Sequence, residues 1–337
     1  MRDVAAAAGV SVATASRVLG GGGRRVVPEN ARRVLEAAVA LRYTMDAAAR
    51  AMSRGTDAIA LIVDDLSTAP VAAVVAAMER QARTVDAFVT ITSTRGTPER
   101  QVTAVRTLGG FRPRALVLTT SRINATQPHT RLLEELTAYE RNGGRVVIYG
   151  SVDLPPDLPF DSISVDDRAS ARAMGEYVGG SGHRRPVILA GTRQRSFAAA
   201  RTSGFVEGML ATGVDVQDIR ILNCEVSRAG GFDAARALID EGLDDRDVIV
   251  AVNDVVAVGA LAACRAAGVA VPDQISVTGF DDIPLARDLM PGLTTMVLPF
   301  AEIGLRAIQM AVTEPRRIRE WVTGSLVIRG STTTRPT

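Results

Sequence analysis

The chain of 337 residues contains no lysine, and aromatic residues make up only 4% of it. All 39 basic residues are arginine, an imprint of genomic base composition with no functional reading. Scarce aromatics mean a core of Ala, Val, Leu and Ile. The only cysteines, Cys224 and Cys264, are too few for a disulfide framework and suit buried thiols in a reducing compartment. With His129 and His183 as the only histidines, a histidine-rich metal site is not expected, and no cofactor is predicted. No apolar run reaches the length of a membrane span, and no basic segment leads into an apolar signal core, so a cytoplasmic location is expected. There is no P-loop, no GxGxxG opening a helix, no CxxC pair, no HExxH and no GxSxG elbow, and no residue set proposes a reaction. "GGSGHRRP" resembles a nucleotide loop only loosely, sitting at a helix end before a strand. Asp64 and Asp65 read as a strand-end turn.

What is present is an ordinary globular composition, 47% hydrophobic and 23% charged, in a chain long enough for two or three compact units. The net charge of +2 is unevenly spread. Residues 1 to 56 hold nine arginines against Asp3, Glu29, Glu36 and Asp46, a net +5 that leaves −3 on the remainder. A basic head on a mildly acidic body points to nucleic-acid contact by the head alone.

That head opens "DVAAAAGVSVATASRVLGGGGRR". Asp3 to Ala8 reads as a short helix ended by Gly9 in the left-handed conformation. Ser11 is placed to cap a second helix, Val12 to Leu19, whose Ala15, Val18 and Leu19 face the first. Two short helices around a tight turn form a helix-turn-helix, and the second can enter a DNA major groove. Val12 and Ala13 suit a thymine methyl, Arg17 suits guanine O6 and N7, and the Thr14 and Ser16 hydroxyls suit phosphate oxygens. Spacing alone equally permits a plain helical hairpin. A third helix, Glu29 to Leu41, is basic through Arg32 and Arg33 and apolar through Val34, Leu35, Ala38 and Leu41. Gly20 to Gly23 form the loop before it, with Arg24 and Arg25 reaching phosphates.

From residue 57 on, buried strand patterns alternate with helical ones. "AIALIVDD" is followed by a helix over 70–83, "AFVTITS" by 97–109, "ALVLTT" by 130–142, and "RVVIYGS" closes the run. "PVILAG" then leads to 200–212, "IRILNCEV" to 230–241, "DVIVAVND" to 255–267, and finally "SVTGF". Two such runs imply two Rossmann-like parallel sheets covered by helices.

The residues "DVAAAAGVSVATASRVL", "RVLEAAVALRYTMDAAARAMSRGTDAIALIV", "AVNDVVAVGALAACRAAGVAVPDQISVTGFDDIPLARDLMPGLTTM" and "VIRGST" resemble, in order, signatures of the lactose-repressor (LacI/GalR) family. The resemblance implies an all-α helix-turn-helix over 1–44, a hinge helix and linker over 45–56, and an α/β effector and dimerisation domain over 57–337. The last resembles periplasmic sugar-binding proteins, with one subdomain of about 57–153 and 286–318 and another of about 154–285 and 319–337. "VIRGST" corresponds to the closing strand. The implied DNA-binding set is Val12, Ala13, Thr14, Ser16, Arg17, Arg25, Tyr43 and Met52, with Met52 where the family wedges a leucine into the minor groove. The implied effector set is Arg201, Asn253, Asp281 and Phe197. Asn253 and Asp254 also read as helix caps, and Asp281 and Asp282 as turn formers.

Departures from the family are specific. Met45 and Asp46 replace Pro-Asn before the hinge helix, and Val27 with Pro28 replaces a Ser cap. "TAPV" (68–71) replaces an Asn-Pro-aromatic run, and Gly150 stands where an acidic residue is usual. Phe197 and Phe232 are substitutes for the missing aromatic. The expected function is a homodimeric, ligand-controlled repressor of a palindromic operator, with double-stranded DNA, a sugar-like effector and a second copy as partners. Without a heptad segment after "VIRGSTTTRPT", no tetramer is expected. The alternative is a cytoplasmic solute-binding or sensor protein without operator recognition.

Overall fold

A computed structural model describes residues 1–19, 26–43, 56–120, 129–150, 154–191, 196–243, 246–313 and 317–335. The glycine run with Arg24 and Arg25, and the hinge with Met45, Asp46 and Met52, lie outside them.

The head contains α1 (Arg2–Ala7), α2 (Val12–Leu19) and α3 (Pro28–Ala40). Gly9, at φ +59°, makes the left-handed turn between the first two, as its position predicted. The Ser11 hydroxyl accepts the Thr14 N–H at 3.1 Å and so caps α2. Val4, Ala5, Ala8, Ala15, Val34, Ala37 and Ala38 form a small core, with Val18, Leu19 and Tyr43 packed against it. The expected inner face of α3 is corrected at two positions: Leu35 is 53% and Leu41 48% exposed. Val34, Ala37 and Ala38 form the i, i+3, i+4 stripe of one helix face, and Leu35 falls a hundred degrees off it. Arg32 is held by Glu29 at 2.6 Å and Glu36 at 2.8 Å, so its charge is compensated on its own helix.

The body is two parallel sheets. The first runs β2 (Phe88–Ser93), β1 (Thr56–Val63), β3 (Pro113–Thr119), β4 (Val146–Gly150), β5 (Asp161–Val165) and β11 (Arg319–Val322). The second runs β7 (Arg220–Asn223), β6 (Pro186–Ala190), β8 (Val248–Ala251) and β9 (Ser276–Thr278). Every strand pair within these sheets is parallel. Helices α4 (Ala69–Arg83), α5 (Pro98–Gly110), α6 (Thr130–Arg141) and α12 (Phe300–Val312) pack on the first sheet's elements. Helices α7 (Asp167–Gly180), α8 (Ser196–Ala211), α9 (Arg228–Glu241) and α10 (Asp254–Ala266) follow β5, β6, β7 and β8, and α11 (Pro284–Asp288) is a short turn. An antiparallel ribbon of β10 (Thr295–Val297) and β12 (Ser325–Val327) touches α7 between the two halves.

Two sequence boundaries move. Residues 161–165 and 319–322, assigned to the second subdomain, are strands of the first sheet: Val147 pairs with Asp161, and Trp321 with Ser164. A buried polar anchor joins these strands. Arg145 pairs with Asp161, whose other oxygen accepts the Ile318 N–H at 2.6 Å, binding β4, β5 and β11 together. The closing strand is also displaced from "VIRGST": it covers Ser325–Val327 and shares only Val327 with that segment.

Replacing Ser11 with alanine removes the cap of α2 and should cost the head about 1 kcal/mol. Native-state hydrogen exchange at the Ala15 amide should speed up about fivefold; unchanged protection would contradict the capping role.

Candidate functional site

Parallel α/β sheets leave ligand crevices beyond the carboxyl ends of their strands. Here a cleft of about 600 Å³ lies at those ends. It is lined by Asp64, Asp65, Thr119, Tyr149 and Gly150 of the first half, and by Arg201, Ser227, Asn253 and Asp281 of the second. That volume suits a small ligand. All four expected effector residues, Arg201, Asn253, Asp281 and Phe197, line it.

Arg201 projects from α8 and is 5% exposed. Its Nε donates to Asp167 at 2.7 Å, Nη1 to the Val252 carbonyl at 3.0 Å, and Nη2 lies 3.0 Å from Asp281. The guanidinium stacks 3.8 Å from the Phe280 ring centre and 4.9 Å from that of Phe197. Burial works against its charge, but Asp167 and Asp281 outweigh burial and hold its pKa above the ordinary arginine value. Burial pushes the Asp281 carboxyl up to about 6, with Arg201 opposing and Asp167 adding to the shift. Burial also raises the Tyr149 hydroxyl, reinforced by Asp167 and Asp281.

Sequence reasoning missed Asp167, Phe280 and Tyr149. The signal for Asp167 was present as the paired acids of "SVDDRAS": Asp166 caps α7, leaving Asp167 in its first turn. Phe300 lines the cleft, whereas Phe232 packs in the second core and is no substitute for the missing aromatic. Phe197 serves both the cleft and Arg201. Asn253 caps α10 through Oδ1, which accepts the Val256 N–H at 3.0 Å, and lines the cleft as well. Asp281 and Asp282 form a strained turn at φ +110° and +51°. Asp65 accepts the Ser67 N–H at 2.9 Å, the turn its position suggested, while also lining the cleft. Gly150 has φ +141°, and a Cβ there would lie 1.9 Å from the Thr120 carbonyl oxygen. No acidic side chain fits at that position.

Behind the cleft, Asp254 is fully buried at the start of α10. Its carboxylate accepts the Thr295 hydroxyl at 2.6 Å and the Ile283 N–H at 2.8 Å. Gly279 makes room for it, since a Cβ there would meet Asp254 Oδ1 at 2.2 Å. Burial pushes this carboxyl up to about 7, with Asp281 adding to the rise.

In the head, Val12, Ala13, Ser16 and Arg17 are exposed along α2 while Ala15 is buried. Thr14 is half-buried and its hydroxyl lies 2.9 Å from that of Ser11, so its first partner is the helix cap. Tyr43 is half-buried against the head core. Arg25 and Met52 lie outside the described residues.

A small helical head thus precedes two sheets that enclose a cleft. Residues 1–46 match the bacterial regulatory proteins of the lacI family, and residues 176–332 match a periplasmic binding protein-like domain. The chain is 31% identical to the HTH-type transcriptional regulator GalS of Salmonella typhimurium, over 93% of this chain and 88% of that protein. It is 30% identical to the ribose operon repressor of Escherichia coli, over 98% and 99% of the two chains. The fold matches the Lac repressor dimer bound to operator and the anti-inducer ONPF with a TM-score of 0.82, at 24% identity and 98% coverage of each chain. The chain belongs to the LacI family of bacterial transcription regulators. A solute-binding protein without operator recognition is not favoured by these relationships. Among the described residues, no helix is long and apolar enough to cross a membrane.

The raised carboxyls give stability a definite pH sign. Folded Asp254 and Asp281 hold their protons more tightly than the unfolded chain, whose carboxyls titrate near about 4. Folding therefore takes up protons between about pH 4 and 7, and stability falls as pH rises through that window. Glu140, raised by burial to about 7, acts in the same direction. The urea midpoint should be lower at pH 8 than at pH 5, and Asp254→Asn should flatten the difference. A midpoint that rises with pH, or an unaltered slope in the variant, would contradict this reading.

Proposed function

We propose that the protein is a homodimeric, cytoplasmic repressor that reads a palindromic operator through α2 and is controlled by a sugar-like effector in the cleft. The observation that carries the DNA reading is the split along α2. Ala15 is buried against α1 and α3, while Val12, Ala13, Ser16 and Arg17 stand exposed on one capped helix. Such a helix, with small apolar groups and an arginine toward solvent, can contact base edges in the major groove. Thr14 and Tyr43 border this surface, and Arg25 and Met52 complete the contact set by family resemblance.

One helix of eight residues reads only a half-site, so two copies are required. The outer strands supply a surface for the second copy: β2 exposes Phe88 at 54% and Ile91 at 39%, and β7 exposes Ile221 at 46%. Free strand edges bearing apolar side chains are ordinarily covered by a partner. The sugar-like effector is supported by relatives such as the ribose operon repressor and by a cleft rich in hydrogen-bonding groups held on rigid strand ends. Arg201, Asn253, Asp281 and Phe197 form its wall. Effector and operator then weaken each other's binding by the same factor.

Selection of DNA ligands from random duplexes should enrich a palindrome. Arg17→Ala should weaken binding to it about tenfold or more and relax preference at one base pair of each half-site, read by gel shift. No enriched palindrome, or unchanged affinity and preference in the variant, would remove the proposal.

A further inference from the structure

Two neighbouring arginines on α3 differ in what holds them. Glu29 and Glu36 stand at i−4 and i+3 from Arg33, spacings from which a helical carboxylate ordinarily reaches a basic side chain. Both bond Arg32 instead, at 2.6 and 2.8 Å. Arg33, exposed like Arg32, turns the other way. Its guanidinium lies against the turn between α1 and α2, where a Cβ on Gly9 would come within 2.3 Å of Nη2.

That turn feeds directly into the helix read above as the one that enters the groove. Gly9 stands two residues before the Ser11 cap, so their α-carbons are at most about 7.6 Å apart. The Arg33 charge therefore sits beside the start of α2, the end that carries exposed Val12 and Ala13. A major groove is about 12 Å wide and walled by phosphates, so a helix entering by this end brings the adjoining turn up to one wall. A guanidinium there meets phosphate oxygens with forked, charge-assisted hydrogen bonds. Arg32 arrives already bonded to two carboxylates, and exchanging them for a phosphate would leave Glu29 and Glu36 facing a like charge.

We propose that Arg33 is a DNA-backbone contact of the head, bonding a phosphate beside the groove that α2 enters, and that Arg32 is not one. This rests on the operator reading above and adds to it a contact that supplies affinity without sequence preference, in contrast to Arg17.

The test is titration of the full chain, by fluorescence anisotropy, from about 50 to about 200 mM KCl. Two duplexes are compared, the one selected from random DNA and a scrambled one of the same length. Each neutralised phosphate adds about 0.9 to the steepness of log affinity against log salt, so Arg33→Ala in both copies should flatten that slope by about 1.8. It should also weaken binding about fivefold or more, on both duplexes alike. Arg33→Lys should keep most of the slope, and Arg32→Gln all of it. If alanine unfolds the head, seen as lost protection of the Ala15 amide, Arg33→Gln carries the same expectation. An unchanged slope in the Arg33 variants, an equal flattening by Arg32→Gln, or a loss confined to the selected duplex would each overturn the proposal. Selection that enriches no duplex strikes the operator reading and this contact with it; an enriched palindrome bound with an unchanged slope strikes this contact alone.

Discussion

The floor of the cleft is organised around one buried arginine held between two buried carboxylates. Taking Arg201, Asp167 and Asp281 out of water is costly, and their close mutual geometry offsets part of that cost. The stacking of Arg201 on Phe280 and Phe197 adds a smaller gain. The three charges come from three different places: the first turn of α7, the middle of α8 and the loop after β9. Their pairing fixes how those elements meet, and so fixes the floor of the cleft.

The same network sits where the chain passes between its two sheets. Asp167 follows β5 of the first sheet almost directly and opens the helix that leads into the second. Asp254 makes a parallel tie, since its bond to Thr295 links α10 to the β10 ribbon on the way back. A ligand that draws on Asp167 or Asp281 therefore acts on groups anchored at the crossovers. Under the proposed function, this gives effector binding a physical route to the relative orientation of the two halves. The head has a small core of its own, a handful of alanines and valines around a capped helix.

Much of this was legible in the residues. The alternation of apolar runs with helical stretches gave β1 to β4 and β6 to β9 in chain order, the inner ones because strands buried on two faces read as unbroken apolar segments. Gly9 and Ser11 marked the turn and the cap by their chemistry alone. The strand at 161–165 escaped because Ser162 and Ser164 interrupt its apolar pattern, although both are buried. The strand at 319–322 escaped because "REWV" has no such pattern, and its Trp321 is 61% exposed. Arg201, Asn253 and Asp281 were found through resemblance, while Asp167 was not. Partners that meet only through tertiary packing leave no local spacing to read. Leu35 and Leu41 were misjudged for a related reason, since in so small a head the alanines fill the interior and the larger side chains stay outside.

The direct test of this account is a double-mutant cycle between Arg201→Ala and Asp281→Asn, measured by urea unfolding of the full chain at pH 7.5. A buried ion pair predicts that the single changes cost far more in sum than the double change, with a coupling of about 2 kcal/mol or more. Additive costs would mean that the two side chains do not sense each other, and the cleft would have to be held by something else.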